Sequence, residues 1–169
     1  VSLSDEDIFL EIKKEREEIG YCSLPHSDIT NLKKELDSLD FKQKNIAIVG
    51  IGGSTLGTYA IYNFLKYHKQ KNKSLKKEIF FFESTDPVNL NGTISQFDLE
   101  DTLFIVISKS GTTIETISIF KYLSSIIKMD KSNLLVITEN DSKLNSFAKV
   151  NDIKTFDIPE LNRKFLKYG

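Results

Sequence analysis

Four hydroxyl side chains surround a single glycine between residues 108 and 113 of this sequence. They are Ser108, Ser110, Thr112 and Thr113, with Lys109 and Gly111 among them. Hydroxyl groups donate hydrogen bonds, lysine adds a positive charge, and glycine leaves room for a ligand. A phosphate group has several acceptor oxygens and a negative charge, and it suits such a loop. The alternative is an ordinary turn in which serine and threonine cap a helix.

The segments on either side of this loop predict a strand before it and a helix after it. Leu103–Ser108 is apolar and β-branched, as in strands that are buried on both faces. The helix begins with Thr112 or Thr113 as its cap and has Glu115 in its first turn. Its free N–H groups and the positive end of its dipole face the loop. The sequence therefore predicts an anion site at this turn.

A second strand-to-helix turn lies upstream and is rich in glycine. Asn45–Gly50 predicts a buried strand and Gly50–Ser54 a turn, with a helix from about Thr55 to Tyr67. The spacing differs from the dinucleotide-binding G-x-G-x-x-G pattern, because Thr55 stands where the third glycine belongs. Glu83 ends the next strand too far downstream to serve as the ribose ligand. A P-loop is excluded, since no Gly-Lys-Ser/Thr sequence closes the turn.

Strands alternate with helices along the rest of the chain. Further strands are predicted at Ile79–Glu83, Asn133–Thr138 and Ile153–Phe156, and helices near Val88–Phe97 and Ser142–Lys149. This alternation, with continuously apolar strands, predicts a parallel sheet covered by helices on both faces. Ligands bind beyond the carboxyl ends of such strands, where both polar turns lie.

The N-terminal segment predicts two amphipathic helices that cover the domain. The first begins at Ser4 and ends at Gly20, and His26 lies in the following loop, where we expect it at the surface. Ser27 or Asp28 caps the second. Its apolar stripe consists of Ile29, Leu32, Leu36 and Leu39.

Composition limits the class of protein. The chain has 169 residues, 40% hydrophobic content and a net charge of −1, which fit one soluble domain without general attraction to nucleic acid or acidic lipid. No segment is apolar enough for a membrane span, and we expect a cytoplasmic location. Cys22, His26 and His68 predict neither an internal disulfide nor a metal site, and we expect no cofactor. The lysine-rich run from Lys66 to Lys77 predicts a solvated helix end and loop.

Both polar turns also resemble one known family. SKSGTTIET, residues 108–116, is similar to the phosphate loop of sugar isomerase (SIS) domains, and its Ser-Lys-x-x-Thr-Thr-x-Glu-Thr form resembles glucose-6-phosphate isomerases in particular. GIGGSTLG, residues 50–57, resembles the glycine turn of that family. The resemblance implies an α/β fold, a three-layer αβα sandwich with a parallel, flavodoxin-like sheet of about five strands.

The resemblance also implies a domain division and a binding site. Residues 1–44 would be a helical cover, 45–160 the SIS domain and 161–169 a tail of uncertain structure. The phosphate of a hexose 6-phosphate would be held by Ser108, Lys109 through its backbone, Ser110 and Thr113. The sugar side would be lined by Gly53 and Ser54. Asp86 matches a family position after the second strand, where it has a structural or substrate-side role or simply caps a helix.

The implied reaction is the interconversion of glucose 6-phosphate and fructose 6-phosphate through an enediol. The family's Gly-Gly-Arg-Phe-Ser motif is replaced here by Leu161–Phe165, and residues 1–169 do not include the family's second SIS domain. That second domain supplies the family's catalytic Glu, His and Lys, so no catalytic residue is assigned in this chain. We expect the sugar-phosphate-binding half of the isomerase, truncated and with little or no turnover of its own.

Two other functions stay open. One is a non-catalytic SIS module that binds a phosphosugar. The other is a single-SIS isomerase that is active as a homodimer, with Glu115, Glu139 or another carboxylate as its base. Glu115 is also explained as a carboxylate that stabilises a helix N-terminus.

Overall fold

A computed structural model describes residues 6, 8–10, 13, 26–72 and 77–158 of the chain. The chain divides into two compact units, and residues 41–158 form the larger. In the smaller unit, residues 6, 8–10 and 13 are helical, and α1 is Thr30–Asp37. The first predicted helix lies largely outside the described residues. The predicted division into residues 1–44, 45–160 and 161–169 stays a prediction.

Helix α1 begins where the sequence predicts. Ile29 occupies the cap position, and the Asp28 carboxylate accepts a 2.8 Å hydrogen bond from the Thr30 N–H. Asp28 thus supplies the capping bond from one residue upstream. Of the predicted apolar stripe, Ile29, Leu32 and Leu36 are exposed and Leu39 is half-buried. His26 is exposed, as expected.

The larger unit alternates strands with helices. Its elements are β1 Asn45–Val49, a 3-10 turn Gly52–Ser54, α2 Leu56–Asn72, β2 Glu78–Phe82, α3 Pro87–Ile94, β3 Thr102–Ile107, α4 Ile114–Ile126, β4 Leu134–Thr138, α5 Lys143–Val150 and β5 Lys154–Asp157. The five strands are parallel in the order β2-β1-β3-β4-β5. This is the flavodoxin-like order, and it confirms the predicted sheet.

The phenylalanines of β2 show that both faces of the sheet are covered. Side chains of a strand alternate between its faces. Phe80 and Phe82 both contact the ring of Phe97, which follows α3, at centroid distances of 4.2 and 6.1 Å. Phe81, on the opposite face, meets Tyr59 of α2 edge-on at 5.0 Å. The three-layer αβα architecture is therefore confirmed.

The main core lies on the Phe82 face, between the sheet and helices α3 to α5. The strands contribute Ala47, Val49, Phe104, Val106, Leu134 and Val136, and the helices contribute Leu90, Ile119, Leu123, Leu144 and Ala148. This burial explains the continuously apolar strand sequences. A packed core of this kind fixes the ends of the strands, where the polar turns begin.

The lysine-rich run is described only in part. Lys66 is exposed, as expected. Lys77 departs from the expectation of a solvated segment, because its ammonium donates 2.6 Å hydrogen bonds to the carbonyls of Phe41 and Gln43. The side chain of His68 and all of Cys22 lie outside the described residues. Within the described ranges, no helix has both the length and the apolarity that crossing a bilayer requires.

Asp101 joins the starts of β1 and β3, and this contact predicts a pH dependence of stability. Its carboxylate accepts hydrogen bonds from the Lys44 side chain at 2.8 Å and from the Lys44 N–H at 3.0 Å. The side-chain bond, followed by the backbone bond, holds the pKa of Asp101 below its ordinary value. A lowered carboxyl pKa stabilises the fold above the unfolded-state value, about 3.9, and the contribution disappears as pH falls through the folded-state pKa.

We therefore expect Asp101→Asn to lower the melting temperature at pH 6, and the difference from the parent to shrink below about pH 4. Thermal unfolding of both proteins between pH 2 and 7 measures this. Asp98→Asn is the comparison variant: Asp98 also attracts the Lys44 ammonium, but it accepts its hydrogen bond from the N–H of Glu100 in its own turn, so we expect a smaller effect. A difference that stays constant across the range would show that Asp101 does not act through its charge.

Candidate phosphate-binding site

The two polar turns lie side by side at the carboxyl edge of the sheet. β1 and β3 are neighbours, with Val49 opposite Val106. The chain leaves β1 toward β2 on one side and β3 toward β4 on the other, so this is a topological switch point. The Gly50 backbone lies so close to β3 that a Cβ built on Gly50 would be 3.1 Å from the Ile107 carbonyl oxygen. The expected convergence of the turns is present in the backbone.

The β3–α4 loop, residues 108–113, brings its hydroxyl groups together. Ser108 is buried, and its hydroxyl donates to the Thr113 hydroxyl oxygen at 3.2 Å. The Ser110 hydroxyl oxygen accepts bonds from the N–H and the hydroxyl of Thr112 at 3.3 and 3.0 Å. Gly111 has a φ of +64°, and its N–H donates to the Ser108 carbonyl at 3.2 Å. The loop is therefore a compact turn whose four hydroxyl groups form two hydrogen-bonded pairs, Ser108 with Thr113 and Ser110 with Thr112.

Helix α4 begins without a side-chain cap. Thr113 occupies the cap position, as predicted, but its side chain makes no capping hydrogen bond. The Thr113 hydroxyl oxygen instead accepts the hydrogen bond from Ser108. The first N–H groups of a helix have no intrahelical acceptor, so an uncapped start leaves donors for an anion. Glu115, in the first turn, is exposed.

The two helices that begin at the same edge on either side of α4 are capped. The Asp86 carboxylate accepts a 3.1 Å hydrogen bond from the Val88 N–H at the start of α3. Ser142 accepts a 3.0 Å bond from the Asn145 N–H at the start of α5. The geometry of Asp86 agrees with its interpretation as a helix cap.

The residues predicted on the sugar side lie in the 3-10 turn after β1. Gly53 is exposed, and no atom lies within 4 Å of a Cβ built on it. Ser54 is half-buried, and its N–H donates to the Ile51 carbonyl at 3.2 Å. The backbone at Gly53 is therefore open to a ligand of some size.

Lys109 is exposed at the outside of the β3–α4 loop. Its ammonium lies 3.9 Å from the Glu139 carboxylate, which follows β4. This places a carboxylate beside the loop, so the positive charge of Lys109 is shared between Glu139 and any anion that binds. The predicted contribution of Lys109 through its backbone is compatible with this geometry.

Sequence reasoning missed the hydrogen bonds by which Thr138 and the Glu139 backbone, at the end of β4, hold the β3–α4 loop. The Thr138 hydroxyl donates a 2.6 Å hydrogen bond to the Ser108 carbonyl, and the Glu139 N–H donates a 3.1 Å bond to the Lys109 carbonyl. The available signal was a polar residue at the carboxyl end of an apolar strand. That signal needs the adjacency of β3 and β4, which the sequence does not contain.

Comparison with known proteins agrees with this geometry. The family model for phosphoglucose isomerase matches residues 35–157. Glucose-6-phosphate isomerase of Campylobacter jejuni is 36% identical over 148 residues, which are 84% of this chain and 36% of that protein. The enzyme of the same name from Carboxydothermus hydrogenoformans is 30% identical over 165 residues, 90% of this chain and 36% of that protein.

Solved structures show the same fold. A glucose-6-phosphate isomerase from Chlamydia trachomatis matches with a TM-score of 0.62 and 25% identity, over 95% of this chain and 28% of that one. A hypothetical protein from Thermus thermophilus matches with a TM-score of 0.66 and 26% identity, over 83% and 34%. The chain spans just over a third of the length of the two curated relatives. Since the family match includes both polar turns and the whole sheet, the chain belongs to the phosphoglucose isomerase family.

Proposed function

We propose that this chain binds the phosphate group of a hexose 6-phosphate in the β3–α4 loop and forms the sugar-phosphate-binding half of a glucose-6-phosphate isomerase. One observation carries the proposal. Four hydroxyl groups and the uncapped N-terminus of α4 meet in one loop at the topological switch point of the sheet. Membership of the phosphoglucose isomerase family supports a hexose 6-phosphate as the ligand.

The donors divide between side chains and backbone. Ser108, Ser110 and Thr113 offer hydroxyl groups, and the first N–H groups of α4 add backbone donors. In the free protein these hydroxyl groups pair with each other. They would form stronger hydrogen bonds with a phosphate oxygen, because bonds to a charged acceptor are stronger than those between neutral groups. The positive end of the α4 dipole and the Lys109 ammonium add to the attraction.

The proposed reaction interconverts glucose 6-phosphate and fructose 6-phosphate by proton transfer through an enediol. Gly53 and Ser54 would line the sugar side, next to the phosphate loop across the β1–β3 pair. A phosphate anchor contributes by holding the sugar in one orientation. None of the described carboxylates is assigned as the base, and we expect this chain alone to bind with little or no turnover. A homodimer and a cytoplasmic location stay predictions.

Ligand-dependent melting tests the proposal directly. Fructose 6-phosphate should raise the melting temperature in a saturable manner, and at 100 times its dissociation constant it should add about 2.7 kcal/mol of stability. Fructose, which lacks the phosphate, should cause no shift at the same concentration, and inorganic phosphate should cause a weaker one. Equal shifts with fructose and fructose 6-phosphate would contradict phosphate recognition, and no shift with either at millimolar concentration would contradict binding by this chain.

A further inference from the structure

The end of β4 and the turn after it donate hydrogen bonds to the backbone carbonyls of the β3–α4 loop. Thr138, 1% exposed, donates its hydroxyl proton to the Ser108 carbonyl at 2.6 Å. The Glu139 N–H donates to the next carbonyl, that of Lys109, at 3.1 Å. Removal of the buried Thr138 hydroxyl would take away the shorter of the two hydrogen bonds to the Ser108 carbonyl, whose other described donor is the Gly111 N–H at 3.2 Å. Two consecutive carbonyl groups of the loop are thus fixed against β4.

The Thr138 hydroxyl belongs to a chain of hydrogen bonds that starts in helix α5. The Asn145 N–H donates to the Ser142 hydroxyl oxygen at 3.0 Å, and that oxygen lies 2.8 Å from the Thr138 hydroxyl oxygen. Thr138 uses its one proton on the Ser108 carbonyl, so Ser142 is the donor in this pair. All three side chains are buried, where hydrogen bonds in series strengthen one another.

The direction of the two carbonyl groups also sets the direction of the next two N–H groups. The described residues contain no cis peptide bond. In a trans peptide, the N–H points opposite to the C=O of the same unit. The N–H groups of Lys109 and Ser110 therefore point away from the β4–α5 turn, and within the described part of the chain neither donates a hydrogen bond. Two adjacent donors of this kind suit the oxygens of one phosphate group.

We propose that Thr138 is a positioning residue of the phosphate site, and that its hydroxyl, supported by Ser142, orients the Lys109 and Ser110 N–H groups toward the ligand. This inference rests on the function proposed above. Thr138 acts through the backbone of the loop and does not touch the ligand. The loop's affinity for phosphate then depends on a side chain outside the loop.

Three variants separate positioning from general stability. Thr138→Val replaces the hydroxyl by a methyl group of similar size, and Thr138→Ser restores the hydroxyl. Thr102→Val is the matched control. Thr102 is also a fully buried strand threonine whose hydroxyl donates to a backbone carbonyl, that of Asp98, but it lies at the opposite edge of the sheet.

Calorimetric titration with fructose 6-phosphate, well below every melting temperature, measures the effect. We expect the dissociation constant to rise about tenfold in Thr138→Val and to stay within about twofold of the parent in Thr138→Ser and Thr102→Val. Equal affinities in Thr138→Val and Thr102→Val would overturn the proposal. So would an equal loss in Thr138→Val and Thr138→Ser, because the methyl group rather than the hydroxyl would then be responsible.

Amide hydrogen exchange without ligand keeps this result separate from the proposed function. The Gly111 N–H, which closes the loop on the Ser108 carbonyl, should exchange faster in Thr138→Val and at the parental rate in Thr102→Val, relative to amides of the central strands. A parent protein that does not bind fructose 6-phosphate would contradict the proposed function. In that case the exchange rate of the Gly111 N–H alone would show whether Thr138 orders the loop. Equal rates in Thr138→Val and Thr102→Val would refute the proposed role of Thr138.

Discussion

Replacement of Gly111 by alanine should lower the free energy of unfolding by about 2–5 kcal/mol. Gly111 has a φ of +64°, in the left-handed region, where an L side chain costs about 1–2 kcal/mol. A Cβ there would also lie 2.7 Å from the Ser142 Cβ and 3.0 Å from the Leu144 Cβ. Both neighbours belong to a packed segment, so the crowding adds about 1–3 kcal/mol. Urea unfolding of the parent and the variant measures the loss.

Gly52→Ala is the matched control for Gly111→Ala. Gly52 has a φ of +57°, and no atom lies within 4 Å of a Cβ built there. This variant therefore carries the backbone cost of about 1–2 kcal/mol without the crowding. The difference between the two variants isolates the contact between the β3–α4 loop and the β4–α5 turn. Equal losses of stability would mean that the loop and the turn move apart without an energetic cost. This would contradict a β3–α4 loop that is fixed against the end of β4.

Replacement of Ser108 by alanine should weaken binding of fructose 6-phosphate by about 10- to 150-fold, since a hydrogen bond to a charged group contributes about 1.5–3 kcal/mol. The Ser108 hydroxyl lies at the end of β3, buried at the base of the loop, and already pairs with Thr113 at 3.2 Å. Water reaches this position poorly, so a hydrogen bond lost there is not replaced by solvent. Titration calorimetry of parent and variant gives the ratio of dissociation constants.

Ser124→Ala is the control for Ser108→Ala. Ser124 lies in α4, and its hydroxyl donates a 2.8 Å hydrogen bond to the Phe120 carbonyl, within the same helix. Its removal should leave the affinity for fructose 6-phosphate within about twofold of the parent. If Ser108→Ala also binds like the parent, the Ser108 hydroxyl does not contact the phosphate, and the donors are those of the backbone, of Ser110 and of Thr113.

The β3–α4 loop could be predicted from the sequence because its chemistry is local. The apolar run that ends at Ser108, the glycine at position 111 and the helix that follows Thr113 are consecutive in the chain. Helix capping by Asp86 could be predicted as one of its roles for the same reason, since a cap binds the N–H groups of the next few residues. The hydrogen bond from the Val88 N–H, which only the structure shows, agrees with the capping role of Asp86.

The contribution of Thr138 could not be predicted in the same way. It lies 30 residues from Ser108 in sequence, and the two meet only because β4 pairs with β3 in parallel. The sequence indicates a parallel sheet but not which strands are neighbours, since several crossover orders satisfy the same alternation of strands and helices. Lys77 illustrates the same limit, because its carbonyl partners depend on where the chain before β1 passes β2.

The central claim is that the β3–α4 loop binds phosphate, and a titration of backbone amide signals by NMR tests it most directly. Fructose 6-phosphate should shift the amide signals of Lys109, Ser110 and the first turn of α4 most strongly, and inorganic phosphate should shift the same signals at higher concentration. Fructose alone should leave them in place. Saturable shifts confined to another part of the sheet, or unchanged loop signals at millimolar fructose 6-phosphate, would contradict the account.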